Sequence, residues 1–144
     1  MTTYEVIIQL ITSFIGSLGF ALMFGTRPRH LFIASLGGML SWGIYLAVLS
    51  VQSSIFFAVL TASMFSMVYA EFMARHRKCP ATIFIIVAII PLVPGSSLYY
   101  AMSYAVMGDM VNAGIHADQT IIWVLAIAAG ISFVTAIREL RTRR

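Results

Sequence analysis

Charge is what this sequence has least of. Only 10% of its 144 residues are Asp, Glu, Lys or Arg, 60% are hydrophobic, and the mean hydropathy is +0.95. A soluble domain carries about 25% charged residues, so the deficit excludes that class and implies an integral membrane protein. The few charges are also clustered. None occurs from Val6 to Thr26, from Leu31 to Ala70, from Cys79 to Gly108, or from Gln119 to Ile137. Each gap accommodates an apolar helix of about 20 residues, and the second accommodates two.

Cysteine is almost as scarce. The single Cys79 excludes an internal disulfide and a multi-cysteine metal site. There is no GxxxxGK[ST] loop, no HExxH and no GxSxG, so ATPase, metalloprotease and serine-hydrolase readings lack their motifs. No enzyme activity, cofactor or metal is expected. No Asp, Glu, Lys, Arg or His falls in the middle of an expected span, so a proton relay or buried counter-ion lacks its usual residue. The first basic residue is Arg27, and without a basic n-region the N-terminal stretch reads as a span rather than a signal peptide.

What is present is a set of long apolar segments. The expected fold is all-α: one integral-membrane domain over residues 1–144 with about five transmembrane helices at about 4–25, 31–50, 53–74, 81–107 and 118–138. The joints are "GTRPRH", with Pro28 as breaker, "SVQSS", "RHRKCP" and "MGDMVNAGIHAD". The nine basic residues are Arg27, Arg29, Arg75, Arg77, Lys78, Arg138, Arg141, Arg143 and Arg144, and five spans place all of them on one side. The other side holds Glu5, Asp109 and Asp118. The positive-inside rule then puts the N-terminus outside and the C-terminus in the cytoplasm. The net charge of +4 is explained by this sidedness, and no nucleic-acid partner is implied.

Small residues recur four apart at Ser13, Ser17, Ala21 and Gly25, at Ala58, Ala62, Ser66 and Ala70, and at Ser97, Ala101 and Ala105. Such seams let helices approach closely in lipid. Glu71 precedes Arg75 by four residues, the favourable order for a helical ion pair. His30, His76 and His116 fall at joints, where solvated side chains are expected. Gln9, Thr12 and Ser13 read as partners for neighbouring helices.

The most informative stretch is "IIPLVPGSSLYY", Ile89 to Tyr100. Proline removes a backbone donor and clashes with the preceding turn, and glycine adds freedom. Pro91 lies about 15 Å along a helix entering at Ala81, near the middle of a hydrocarbon core about 30 Å thick. Irregular backbone is tolerated there only where it is buried in protein or lines a wet cavity. A second half-helix starting after Pro94-Gly95, with Ser96 and Ser97 in its first turn, would aim free amides and a partial positive charge at the midplane. Secondary transporters use such ends to hold a substrate carboxylate. The expected substrate site is therefore Pro91, Pro94, Gly95, Ser96, Ser97, Leu98, Tyr99 and Ser103, with Tyr99 and Ser103 on one face. A simple proline kink is the plainer alternative.

The run "CPATIFIIVAIIPLVPGSSLYYAM", with the basic joints "TRPRH" and "RHRKCPAT", resembles the signature of the threonine/serine exporter family, in particular its small five-span separate-subunit form. The similarity covers most of the chain and is most specific from about Arg75 to Met102. On this chain the signature takes in Pro80, Pro91, Pro94, Gly95 and Tyr99. The resemblance implies export of small hydrophilic metabolites: threonine and serine, or dicarboxylates such as succinate in two-subunit members. It also implies a companion membrane subunit. The combined expectation is one subunit of a secondary exporter in the cytoplasmic (inner) membrane, working by alternating access with the substrate carboxylate at the broken-helix N-terminus. The rival from another class is a non-transporting membrane assembly or interaction protein.

Overall fold

The computed structural model describes residues 3–142, excepting the side chains of residues 141 and 142. Arg143 and Arg144, counted above in the charge pattern, lie outside the described residues. The chain is all-helical: α1 (Thr3–Met23), α2 (Pro28–Val51), α3 (Ile55–Arg77), α4 (Thr82–Ile89) running into a 3-10 turn (Ile90–Leu92), α5 (Gly95–Val106) and α6 (Met110–Thr142). Among the described residues four helices are long and apolar enough to cross a membrane, and the α4–α5 pair, bent by 55° at its break, passes the same test together, as a broken span or a re-entrant loop. The protein is thus an all-α polytopic membrane protein.

Local chemistry sets the helix ends. Gly25 ends the α1 hairpin turn with φ +65° and Gly108 ends α5 with φ +81°, the left-handed conformation in which glycine has no Cβ to clash. Lys78 takes the same conformation after α3, with φ 52° and ψ 46°. Pro28 starts α2, because at the first helical position a missing N–H costs nothing. The expected breaker is therefore an initiator, and Arg29 and His30 belong to the helix.

Two sequence expectations need correction. The segment Met107–Asp118 is not an irregular joint, because α6 begins at Met110. Asp109 caps it: its Oδ1 accepts from the Asn112 amide at 3.1 Å and its Oδ2 from Asn112 Nδ2 at 2.6 Å. The bond from the Asn112 side chain, then that from its amide, holds the Asp109 carboxyl below its ordinary pKa. With 33 residues, α6 is about 50 Å long. That exceeds a hydrocarbon core of about 30 Å and leaves length for polar residues at both ends. The second correction is His30, which is buried rather than solvated because the start of α2 folds against α4. Its ring meets Phe84 edge-on at 5.9 Å.

The interior of the bundle is α2 and α3. In their most apolar windows 39% of residues are buried, against 11% in α1 and α6. Two apolar clusters fill the interior. One joins Tyr45, Leu46, Ala58, Val59, Ala62, Leu92 and Ala126; the other joins Ala21, Ala34, Ala70, Ala74, Phe84 and Val87. Between them in chain position lie buried serines and glycines. Ser41 and Ser66 share a 2.7 Å hydrogen bond, and Ser63 reaches the Ala126 carbonyl at 3.4 Å. Ala58, Ala62, Ser66 and Ala70 are all buried, as a packing seam requires. Of the α1 seam Ser17 and Ala21 are buried, and of the α5 seam only Ala101.

Candidate functional site

The break is built from three consecutive departures from helix. Ile90–Leu92 tightens into a 3-10 turn, Val93 is extended (φ −67°, ψ 125°), Pro94 has φ −79° and ψ 56°, and α5 starts at Gly95. Neither proline has an amide to donate. Part of the deficit is met locally: Val93 N–H donates to the Ile90 carbonyl at 3.1 Å, Gly95 N–H to Val93 at 2.8 Å, and Leu98 N–H to Pro94 at 3.1 Å. Of the four amides from Gly95 to Leu98, those of Ser96 and Ser97 are left over. One side of the break is anchored, with Leu92 and Pro94 buried and the 3-10 turn packed on α1, α2 and α3.

The other side is open. Gly95, Ser96, Leu98 and Tyr99 are exposed, Ser97 and Ser103 half-buried, and a Cβ added at Gly95 would meet nothing within 4 Å. Tyr99 points outward at 68% exposure, its ring against Tyr100. The structure therefore exposes Gly95, Ser96, Leu98 and Tyr99 and separates them from Pro91, which lines a groove that none of them joins.

That groove has a volume of about 280 Å³ and lies between α1, Trp42 and the break. Its polar lining comes from Gln9, Thr12, Ser13 and Ser17, with Pro91 at the break. Trp42 Nε1 donates to Gln9 Oε1 at 3.2 Å, while Thr12 and Ser13 donate to the carbonyls of Ile8 and Leu10. The Gln9 amide and the hydroxyl lone pairs remain for a ligand. Ser17 Oγ is fully buried with no hydrogen-bond partner. This neutral, hydroxyl-rich lining suits a small uncharged polar group. Sequence reasoning marked Gln9, Thr12 and Ser13 only as packing residues. The available signal for the groove is Gly38 followed by Trp42 in span two: Gly38 permits the close approach of Ser17 and Trp42 bonds Gln9, both on α1.

Charged residues sit elsewhere. Glu71, 13% exposed, faces Arg138 Nη1 at 3.2 Å and Arg75 at 3.9 Å. Its Oε1 has no hydrogen bond of good geometry, so Arg138 acts on it as a neighbouring charge. The nearer partner thus comes from α6 and not from its own helix. His116 is also not free in solvent: it stacks on Tyr104 at 5.6 Å and lies 5.5 Å from Tyr100. His76 is exposed, as expected at a joint. Among the described residues no three His, Cys, Asp or Glu side chains come together as a metal site.

A family model described as Threonine/Serine exporter, ThrE, matches residues 9–137. No solved structure matches the chain.

Proposed function

Because the chain belongs to the threonine/serine exporter family, we propose that it is one subunit of a secondary exporter of small carboxylate-bearing metabolites. The substrates are threonine- or serine-like amino acids, or dicarboxylates such as succinate. The carboxylate sits against the Ser96 and Ser97 amides, with both hydroxyls as further donors. The groove at Gln9, Thr12 and Ser17 offers a polar path beside the break.

One observation carries this reading: the start of α5 is polar, leaves the Ser96 and Ser97 amides without backbone partners and is open at the protein surface. It lies about 20 Å along a span that begins at Thr82, still within a hydrocarbon core of about 30 Å, where bare backbone costs several kcal/mol per unsatisfied group. A companion membrane subunit facing this end, with a wet cavity between the two, removes that cost and completes the site. Rocking of one subunit against the other about the Pro91–Gly95 break then gives alternating access. The orientation that follows from the basic joints is N-terminus outside and C-terminus cytoplasmic, in the inner membrane.

The test is flux in vesicles containing the chain with its companion. Pro94→Ala with Gly95→Leu restores helix across the break and crowds its mouth. The open space around Gly95 accommodates the new side chain without disturbing the core. Loss of a charge-assisted hydrogen bond is worth about 1.5–3 kcal/mol. Export should therefore fall roughly ten- to hundredfold at unchanged protein level. Full export by the double variant, or no flux from the wild-type complex, refutes the reading; the second result favours a non-transporting assembly protein.

A further inference from the structure

A second cavity, of about 520 Å³, opens at the end of the bundle that carries the basic joints. It is lined by Arg27 and Thr26 from the first joint, His30 from α2, Lys78 from the third joint and Thr82 from the start of α4, over an apolar floor that includes Ile86. No lining residue is acidic. Arg27 and Lys78 have no ion pair among the described residues; the salt bridges at this end join Glu71 to Arg75 and Arg138. Two helices, α2 and α4, begin beside the cavity, and each contributes a partial positive charge. The amides of Ala81 and Thr82, at the start of α4, have no backbone partner. His30 is 8% exposed, and its Nδ1 is buried without a hydrogen-bond partner. A buried polar atom left unsatisfied is costly.

The charged side chains of this cavity therefore favour a negative ligand, and although α1 and α3 also end beside it, no lining side chain neutralises the two cations. The apolar floor and the exposed Ile86 leave room for a hydrocarbon tail beside the charged head. We propose that this cavity is an oxyanion site, holding one carboxylate or phosphate group between Arg27 and Lys78 with hydrogen bonds from the Thr82 end of α4. Its two possible sources are an anionic lipid headgroup and a free small-molecule anion. The site is separate from the Pro91–Gly95 break and does not depend on transport.

The experiment is binding to the full chain in non-ionic detergent. The probes are short-chain phosphatidylglycerol, short-chain phosphatidylcholine as the form without net charge, inorganic phosphate, threonine and succinate. Each basic side chain near an anionic group contributes a factor of about five. Arg27→Gln with Lys78→Gln should thus weaken the bound anion about twenty-five-fold. Arg29→Gln with Arg77→Gln, exposed at the same end but outside the cavity, should weaken it less than about threefold. All four side chains are exposed, so the variants retain the fold, which the unchanged melting temperature without probe verifies. Binding of phosphatidylglycerol but not of the small anions identifies a lipid site; binding of phosphate, threonine or succinate identifies a free-anion site. Equal weakening by both variant pairs, equal binding of phosphatidylcholine, or no binding of any anion overturns the proposal.

Discussion

Gly38 is where α1, α2 and α4 come closest, and replacing it with alanine measures how much that approach matters. A Cβ there would stand 2.0 Å from Ser17 Oγ, 2.8 Å from Ser17 Cβ and 3.3 Å from the Val87 carbonyl oxygen. The hydroxyl can rotate away. The Ser17 Cβ cannot, so α1 must move back from α2 beside the groove. Overpacking of this kind costs about 1–3 kcal/mol. Alanine also stabilises a helix interior by about 0.5–1 kcal/mol relative to glycine, which masks part of the loss. Gly19→Ala supplies the reference, because nothing lies within 4 Å of its Cβ position. The clash is therefore the difference between the two variants, about 1–3 kcal/mol, or roughly 3–10 °C in melting temperature. Thermal unfolding in detergent, followed by tryptophan fluorescence, reads it. Adding Ser17→Gly to Gly38→Ala removes both offending atoms, so the pair should show a coupling of at least about 1 kcal/mol. Equal melting temperatures for Gly38→Ala and Gly19→Ala, or no recovery in the double variant, would refute the close-approach argument.

Other consequences are independent of that contact. Arg138→Gln should destabilise the chain by about 1–3 kcal/mol, because it strips a mostly buried carboxylate of its nearer cation; Arg75→Gln, 75% exposed at 3.9 Å, should cost under about 1 kcal/mol. Denaturant titration of the two variants decides between the tertiary and the helical pair. The Asp109 carboxyl is held below its ordinary pKa, so its contribution to the α6 cap is full above the unfolded carboxylate value of about 4 and is lost as pH falls through the lower folded value. Amide exchange in the first turn of α6 should show that loss in wild type and not in Asp109→Ala. Cys79, beside Lys78 at the basic end, should resist a membrane-impermeant thiol reagent in cells with an intact inner membrane and react once that membrane is opened; ready labelling of intact cells would reverse the proposed orientation.

The sequence made some features legible because they depend on local chemistry. Charge-free runs of helical length marked the four long apolar helices and the bent α4–α5 pair, since burial in lipid forbids charge along a whole segment. Pro91, Pro94 and Gly95 marked the break because each acts on its own backbone. Other features depend on what folds next to what. Residues 110–117 hold Asn112, Gly114 and His116 between two aspartates and so read as a joint, but the Asp109 cap makes them the first turns of α6. Glu71 has an acceptable partner four residues on, and only the packing of α6 on α3 brings Arg138 nearer. His30 looked solvated two residues after a proline, yet α2 begins at that proline and turns the ring onto Phe84.

The same distinction explains the shape of the candidate site. Its backbone half is encoded locally in "PLVPGSS", and its groove half arises from α1 crossing α2 at the Ser17–Gly38 contact. The groove takes in Ile90 and Pro91 and none of Gly95 to Tyr99. The buried side, at Leu92 and Pro94, fixes the bend against the bundle, while the open side presents the first turn of α5 outward. A kink that served only to shape this bundle would need the first side alone, and its outward face in lipid would be apolar. Here that face carries Ser96, half-buried Ser97 and amides without backbone partners. Polar groups within a hydrocarbon core persist when something polar or protein faces them, and the proposed second membrane subunit, with the substrate held between the two, would meet that requirement.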